Sequence, residues 1–211
     1  MYIPKYNKVT EQETIFRYLR ENGFAILVSE SNGEIIATHV PVEIEAGDDG
    51  SHVIRTHLAK ANLQWKHFTD GKEVLLIFSG PHTYISSSWY DHVNVPTWNY
   101  IAVHVYGKVK ILDDAAATAM LSRLVNRYEQ ASENPFHISQ LDAAFMRSHL
   151  KALVAIEISM DRIDTKEKLS QNRDAHNYQL ILDALDKRTD EQSHDIKREM
   201  ERVQKTLFNK L

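Results

Sequence analysis

The sequence contains no cysteine and only seven glycines and five prolines among 211 residues. The absence of cysteine excludes disulfide scaffolds, zinc ribbons, iron–sulfur ligation and a thiol nucleophile, and it fits a reducing compartment, so we expect a cytoplasmic protein. The scarcity of glycine and proline excludes collagen-like and low-complexity chains. No stretch approaches the roughly 18 apolar residues of a membrane helix, so we expect neither a membrane anchor nor a signal peptide.

An excess of one charge is also missing, because 25 Lys and Arg stand against 29 Asp and Glu, a net charge of −4. The chain therefore lacks the basic field that drives unspecific nucleic-acid binding, and any DNA contact must be local. It has no phosphate-cradling glycine loop, zinc-protease helix, dinucleotide fingerprint or nucleophile elbow. Its eleven histidines are scattered without a tight ligand spacing, so we predict no metal site.

Short hydrophobic stretches predict six strands, at residues 24–29, 35–42, 52–58, 74–79, 100–112 and 152–161. Asn32-Gly33 is a hairpin signal between the first two, and Gly47-Asp48-Asp49-Gly50 is a turn before the third. Helices are predicted over residues 10–22, 59–69 (closed by Asp70-Gly71), 114–130 and 139–149. Antiparallel strands joined by tight turns remove their edges by closing on themselves. We therefore predict an α+β, mainly antiparallel fold, a six-stranded β-barrel with peripheral helices.

After Asn172 the composition changes to that of one long polar helix with a sparse apolar stripe at Ile196, Met200, Val203 and Leu207. Residues 186–211 hold seven Lys or Arg against six Asp or Glu. We interpret this segment as an exposed arm or a pairing helix. The predicted domains are thus residues 1–172 and a C-terminal helical arm, residues 173–211.

Three segments carry candidate binding residues. Residues 55–62, with Lys66, concentrate cations where a strand leads into a short helix, which suits an anion such as phosphate. The alternative is a solvated basic face. The loop at 80–98 holds Tyr84, Trp89, Tyr90 and Trp98, which suit a planar ring or a plain aromatic core. Thr38 and His39 lie on the second strand. Their polar side chains either contact a ligand or form hydrogen bonds with neighbouring groups of the chain.

Eight sequence blocks in this order resemble the PaiB family of FMN-binding negative transcriptional regulators. They are MYIP (1–4), GFA (23–25), ATHVP (37–41), HLAKANLQW (57–65), IFSGPHTYIS (77–86), VPTWNY (95–100), HVYG (104–107) and KLSQNR (168–173). The resemblance covers most of the chain up to about residue 185. It implies a split barrel similar to that of pyridoxamine phosphate oxidases, and a homodimer with FMN near the subunit interface.

The resemblance also implies roles for individual residues. His57, Lys60 and Asn62 would hold the phosphate of FMN, and Thr38 and His39 would contact the isoalloxazine. The ring would be covered by Trp89, Trp98 and Asn99, and the partner subunit would contribute Lys168, Ser170 and Gln171.

Two functional hypotheses share this pocket. The first is an FMN-binding, PaiB-like negative transcriptional regulator in which the flavin senses redox state. The second is a flavin-dependent oxidoreductase of the split-barrel type, in which the flavin performs the hydride chemistry. A haem-handling protein on the same barrel is a third, weaker possibility.

The sequence names no catalytic residue and leaves open whether the protein is an enzyme. DNA is a possible partner without a readable motif, since the helices at 114–131 and 139–149 are too far apart for a helix-turn-helix.

Overall fold

A computed structural model of the chain describes residues 1–46, 51–68 and 71–208. The turn predicted at residues 47–50 and the Asp70 end of the predicted short helix lie outside these residues. The chain divides into two compact units. The first unit comprises Met1–Tyr18, Ser79–Val103 and Asp164–Leu211, and the second comprises Leu19–Phe78 and His104–Ile163.

Five α-helices and eight strands are present in the described part of the chain. The helices are α1 (Gln12–Glu21), α2 (Asp114–Glu129), α3 (Ala143–Lys151), α4 (Ala175–Asp186) and α5 (Glu191–Phe208). The strands are β1 (Phe24–Ser31), β2 (Glu34–Pro41), β3 (Glu43–Ala46), β4 (His52–Ala59), β5 (Glu73–Ile85), β6 (Thr97–Ile111), β7 (Leu153–Ser159) and β8 (Arg162–Lys168). Short 3-10 helices cover Lys5–Asn7, Leu63–His67, Ser87–Trp89 and Ile138–Gln140.

The sheet has the strand order β2-β1-β5-β6-β7-β4-β3, and β8 pairs with β6. The β1–β2 hairpin is paired in full register from Phe24↔Pro41 to Ser31↔Glu34. Its turn residues Asn32 and Gly33 have φ of 54° and 83°, the left-handed pair that a two-residue hairpin turn requires. The hairpin predicted at Asn32-Gly33 is therefore confirmed.

The α+β, mainly antiparallel class is confirmed, but the predicted strand number and closure are wrong. Eight strands are present instead of six, and among the described residues the two ends of the order, β2 and β3, are not paired with each other. The strands missed from the sequence are β3 and β8. β3 has only four residues, and β8 carries five charged side chains in seven, so neither shows hydrophobic alternation.

In the second unit, helix α2 packs on strand β7 through Ala117, Met120 and Ala155. The helix begins where the sequence predicts, because Asp113 Oδ1 accepts a hydrogen bond of 2.8 Å from the backbone N–H of Ala116. This packing covers one face of the sheet formed by β4 and β7, on which candidate site residues lie.

The C-terminal segment is two helices rather than one long helix. In α5, Ile196 and Met200 are completely buried and Val203 is 9% exposed, so the apolar stripe packs inside the first unit. This burial disagrees with an exposed arm, while the interpretation as a pairing helix stays a prediction. The domain boundary at residue 172 stays a prediction, while the compact unit joins Asp164–Leu211 to Met1–Tyr18 and Ser79–Val103. None of the described helices is long and apolar enough to cross a membrane.

Candidate functional site

The residues predicted for the site fall into two sets, one in each compact unit. Thr38, His39, His57, Lys60 and Asn62 belong to the second unit. The first unit contains Trp89, Trp98, Asn99, Lys168, Ser170 and Gln171. Within each unit the structure shows which of these side chains are already bonded and which remain available to a ligand.

Thr38 and Asn62 are joined in one hydrogen-bond network around the buried side chain of Gln64. Asn62 Nδ2 donates to Thr38 Oγ1 at 2.9 Å, and Thr38 Oγ1 donates to Gln64 Oε1 at 2.6 Å. Gln64 Nε2 in turn donates to Ser29 Oγ at 3.0 Å and to two backbone carbonyls of β1 and β2. The network ties the 3-10 helix of residues 63–67 to the hairpin, so both predicted residues have a local structural role. The sequence did not single out Gln64, because a glutamine in a short polar segment carries no visible signal of burial.

His39 is exposed on β2, and its imidazole stacks against the exposed ring of Phe24 with a centroid distance of 5.8 Å and an interplanar angle of 27°. Phe24 is 62% exposed and lies next to His39 across the β1–β2 pair. An exposed pair of near-parallel rings offers a flat apolar surface at its edge of the sheet. This surface suits contact with a planar heteroaromatic group.

His57 lies on β4 opposite Ala155 of β7, so it occupies the sheet face that helix α2 covers. Its Nδ1 atom is buried and has no hydrogen-bond partner among the described residues. Burial lowers the pKa of His57, because the charged imidazolium is poorly solvated there. A neutral imidazole with an unsatisfied buried nitrogen is thus available to a ligand or a water molecule.

Lys60 follows β4 and lines a cavity of about 260 Å³ in the second unit. Its ammonium group has no ion-pair partner among the described residues, whereas the indole of Trp65 donates to the Lys60 carbonyl at 2.9 Å. The cavity is mainly apolar but also contains Lys151 and Asp114. The remaining lining residues are Trp65, Ile111, Leu112, Ala117, Leu150, Leu153, Val154 and Ala155.

The predicted anion site at residues 55–62 is only partly formed. The predicted helix is a five-residue 3-10 helix, and the backbone N–H of its second residue, Gln64, is already bonded to Asn62 Oδ1 at 3.0 Å. Arg55 is also occupied, since its guanidinium forms ion pairs of 2.9 Å with Glu45 and 2.6 Å with Glu157. Lys60 and His57 are therefore the members of this segment that remain open to an anion.

In the first unit, the aromatic residues predicted to line a ring site are partly core and partly surface. Trp98 is 53% exposed and lies 6.0 Å from the ring of Tyr84 and 6.2 Å from that of His82. Trp89 is half-buried in a 3-10 helix, and Tyr90 is buried. The burial of Tyr90 agrees with the interpretation as aromatic core, whereas a ring-binding role for the exposed Trp98 stays a prediction.

Asn99 and Ser170 face each other inside the first unit. Asn99 Nδ2 lies 3.0 Å from Ser170 Oγ, and Ser170 Oγ lies 3.1 Å from Asn99 Oδ1. Ser170 has φ of 62°, a left-handed conformation that is uncommon for a residue with a side chain. Gln171 closes the same turn, because its amide accepts from Leu169 N and donates to Glu167 O, each at 2.7 Å.

Lys168 donates hydrogen bonds to Thr97 Oγ1 and to the Trp98 carbonyl, the latter at 2.8 Å. Burial lowers the pKa of Lys168, and the charges of Lys166 and Arg173 lower it further. Lys168 therefore lies in a positively charged environment. Arg173, which the sequence did not select, is part of that environment and lines a cavity with Lys168.

Comparisons with known proteins identify the family and the fold of the chain. A family model described as "Putative FMN-binding domain" matches residues 1–162 of the chain. The "Protease synthase and sporulation protein PAI 2" of Bacillus subtilis is 42% identical over 185 residues, which cover 88% of this chain and 89% of that protein.

Two solved structures are similar in fold. The FAD and haem binding protein from Mycobacterium smegmatis has a TM-score of 0.61 at 16% identity and covers 82% of this chain and 78% of that one. The flavocytochrome Anf3 from Azotobacter vinelandii has a TM-score of 0.58 at 17% identity, and the match covers 84% of this chain and 78% of that one. These likenesses place the chain among split-barrel folds, as predicted.

The family model matches more than three quarters of the chain, and the identity to the Bacillus protein extends beyond it into the C-terminal part. The cofactor of this family is FMN. The chain is a flavin-binding protein that belongs to the PaiB family of FMN-binding domains.

Proposed function

We propose that this protein is a PaiB-like negative transcriptional regulator whose state is set by bound FMN. The Bacillus relative is named a protease synthase and sporulation protein, and the sporulation part of that name supports a regulatory role. The observation that carries the flavin part of the proposal is that one unit contains both an exposed flat surface, at Phe24 and His39, and a lysine without an ion-pair partner among the described residues, Lys60.

The residues present fit FMN, judged by their free donors and exposed rings. Lys60 and the unsatisfied Nδ1 of His57 would bind the phosphate, because a phosphate oxygen accepts from both a lysine and a neutral imidazole N–H. His39 would contact the isoalloxazine, while Thr38 and Asn62 would position the segment through their bonds to Gln64. When bound, FMN supplies a redox centre that accepts one or two electrons.

We further propose a cytoplasmic homodimer with FMN near the subunit interface. In that assembly Trp89, Trp98 and Asn99 would cover the ring. A second copy of the chain would contribute Lys168, Ser170 and Gln171. The exposure of Trp98 supports its part in this proposal, because an indole that is 53% exposed in one chain is free to cover a ligand.

The basic residues of α5 do not support direct DNA contact by this helix. Lys197 is paired with Asp186 at 2.6 Å and with Glu201 at 3.3 Å. Arg198 is paired with Asp195, and the guanidinium of Arg202 binds Glu167 and Glu199. Three of the four lysines and arginines of α5 are thus already paired with carboxylates, and the fourth, Lys205, has no ion pair among the described residues. Since one unpaired cation is a small basic surface, we propose that any repression through α5 requires a partner protein. DNA binding by another surface is the competing outcome.

The test uses the full-length protein in FMN-free, oxidised FMN and reduced FMN forms. We expect saturable flavin fluorescence quenching by FMN, and retardation of promoter DNA that differs between the oxidised and reduced forms, alone or with a partner protein. Turnover of a nicotinamide cofactor by the FMN form, without any flavin-dependent retardation, would replace the regulator with the oxidoreductase hypothesis. Absence of FMN binding would remove both.

A further inference from the structure

A second cavity, of about 170 Å³, lies within the first unit, and eight of its ten lining residues have polar or charged side chains. It is formed where the start of β6 meets the turn after β8 and the 3-10 helix of residues 5–7. The residues that line it are Tyr6, Asn7, Val95, Pro96, Thr97, Asn99, Lys168, Ser170, Asn172 and Arg173.

Two of these residues are cations, and neither has an ion-pair partner among the described residues. Lys168 uses its ammonium protons on Thr97 Oγ1 and the Trp98 carbonyl, both neutral acceptors. The guanidinium of Arg173 lies 4.9 Å from the centroid of the Tyr90 ring and makes no side-chain hydrogen bond within the described chain. Its N–H donors are therefore open to a ligand.

A third cation, Lys166, adds to the positive potential. Its ammonium lies 5.2 Å from the centroid of Tyr100 and donates to the carbonyl of Tyr2 at 3.3 Å, again without a carboxylate partner in the described residues. The charges of Lys166 and Arg173 contribute to the lowered pKa of Lys168, after the effect of burial. Like charges held together without counterions are costly, so an anion bound there would stabilise the cluster.

Asn7 provides an independent sign of a ligand. Its side chain is 3% exposed and lines the cavity, yet Oδ1 is buried without a hydrogen-bond partner, and no side-chain bond of Asn7 is present in the described structure. Buried amides almost always have partners, so this group is unsatisfied until something enters the cavity. Rotation of the amide presents its N–H₂ group to an acceptor.

We propose that this cavity binds the phosphate group of a small molecule through Arg173, Lys168 and Asn7. The volume suits an oxyanion rather than a whole flavin, since drug-sized ligands occupy about 300 Å³ or more. Planar guanidinium groups bind phosphate in a two-point geometry, and the amide N–H₂ adds a neutral donor. The phosphate has two possible sources. One is a separate phosphorylated ligand, and the other is the FMN molecule itself, in which case this cavity would replace Lys60 and His57 as the proposed site of the FMN phosphate.

The test is titration calorimetry of the full chain with inorganic phosphate, against chloride at equal ionic strength, in FMN-free and FMN-saturated protein. We expect saturable phosphate binding by the FMN-free protein, weakened at least ~10-fold in Arg173→Gln, because one charge-assisted contact is worth about 1.4 kcal/mol or more. Lys187→Gln, which removes an exposed cation of the same unit outside the cavity, is the matched control and should bind phosphate as the wild type does.

Asn7→Asp gives a second variant in case Arg173→Gln is poorly folded. The new carboxylate would act as an internal counterion, so phosphate binding should be lost while the melting temperature without phosphate stays equal or rises.

Phosphate binding that persists with FMN bound identifies a separate ligand. Competition by FMN but not by riboflavin identifies the FMN phosphate. No saturable phosphate binding, or equal weakening in Arg173→Gln and Lys187→Gln, would overturn the proposal, and FMN affinity measured by fluorescence reports on the flavin site separately.

Discussion

The Tyr18 hydroxyl lies 2.7 Å from Oε2 of Glu199, at the centre of an ion-pair cluster in the first unit. The same hydroxyl lies 2.6 Å from Glu167 Oε1, and because it has one proton it donates to only one carboxylate at a time. Arg17 binds both oxygens of Glu199, and Arg202 donates to both carboxylates. Helices α1 and α5 and strand β8 are thus joined through charged groups that are mostly removed from solvent.

Burial raises the pKa of both carboxylates of this cluster, but the net shifts of the two pKa values have opposite directions. Burial alone raises the pKa of Glu199, but hydrogen bonds from Arg17, Tyr18 and Arg202 outweigh it and lower the pKa to about 2. Burial also raises the pKa of Glu167, and there the bonds from Tyr18 and Arg202 do not compensate fully. Glu199 therefore stabilises the fold as an anion, whereas ionisation of Glu167 costs stability.

Replacement of Glu199 by glutamine should destabilise the protein by about 2 kcal/mol at pH 7, a value kept low because both arginines are partly exposed. The stabilisation from a lowered pKa is present above the unfolded value and is lost as pH falls toward 2. The gap between wild type and Glu199→Gln should therefore close between about pH 4.5 and pH 2 in urea unfolding. Glu191→Gln, an exposed change on the same helix, should lower the free energy of unfolding by less than about 0.5 kcal/mol relative to the wild type. A gap that does not depend on pH would contradict the assigned role.

Gly107 should be intolerant of any side chain. A Cβ atom at this position would lie 1.6 Å from the backbone oxygen of Ser159, on the neighbouring strand β7. Because that oxygen belongs to a paired strand, Gly107→Ala should cost about 3 kcal/mol or prevent folding. Gly33→Ala is the control, since φ at Gly33 is +83° but nothing lies within 4 Å of the added Cβ, so it should cost about 1 kcal/mol. Equal losses in thermal unfolding of the two variants would show that the close approach at Gly107 relaxes easily.

Local signals in the sequence were sufficient for part of the fold. The Asn32-Gly33 turn and the strand predicted at residues 100–112 require only neighbouring residues, and both are present; in that strand, β6, alternate residues Ile101, Val103 and Val105 are buried. Strand β8 was missed because it buries Thr165, Lys166 and Glu167, whose burial depends on partners far away in the chain. No periodicity of hydrophobic residues reveals a strand whose buried face is polar.

The site was predictable to a similar extent. Lys60 and His57 were selected because a dense run of cations and donors is visible in a short segment. Among the described residues Lys60 has no ion pair and His57 Nδ1 has no hydrogen bond, and their role in binding stays a prediction. Thr38 and Asn62 are engaged by Gln64, which the sequence could not show, because the three residues are bonded across a turn and a hairpin. Asn7 was missed for the same reason, since only its burial without a partner distinguishes it.

The burial of the α5 stripe leads to a prediction about the C-terminal segment. Ile196 is completely buried, so Ile196→Ala should destabilise the protein by about 3 kcal/mol through lost apolar burial and the remaining cavity. A residue on a solvated arm would give almost no effect. Ile35→Ala, at a position that is 74% exposed, is the chemically identical control and should change stability by less than about 0.5 kcal/mol. Chemical unfolding of the three proteins distinguishes the packed helix from the arm.

His57 should contribute to the dependence of stability on pH. Burial lowers its pKa in the folded state, so below pH 6.5 the unfolded chain takes up a proton that the folded chain resists. Stability should therefore fall as pH drops below about 6.5, by at most about 1.4 kcal/mol per pH unit from this group. His57→Gln should flatten the curve between about pH 6.5 and 5 relative to that of the wild type. A wild-type slope retained in His57→Gln would assign the effect to another group.

Lys60 allows the phosphate part of the flavin site to be separated from the ring part. If its unpaired ammonium binds the phosphate, Lys60→Ala should weaken FMN about 10-fold or more and leave riboflavin, which has no phosphate, unaffected. Lys66→Ala removes an exposed cation from the same segment and should preserve the affinity for both flavins. Fluorescence titration of the three proteins with FMN and riboflavin gives, for each variant and each flavin, the ratio of its dissociation constant to that of the wild type. If Lys60→Ala weakened both flavins equally, the residue would act through the shape of the cavity it shares with Trp65. If FMN affinity did not change at all, the phosphate must be bound elsewhere, and the Arg173 cavity of the first unit would then be the next site to test.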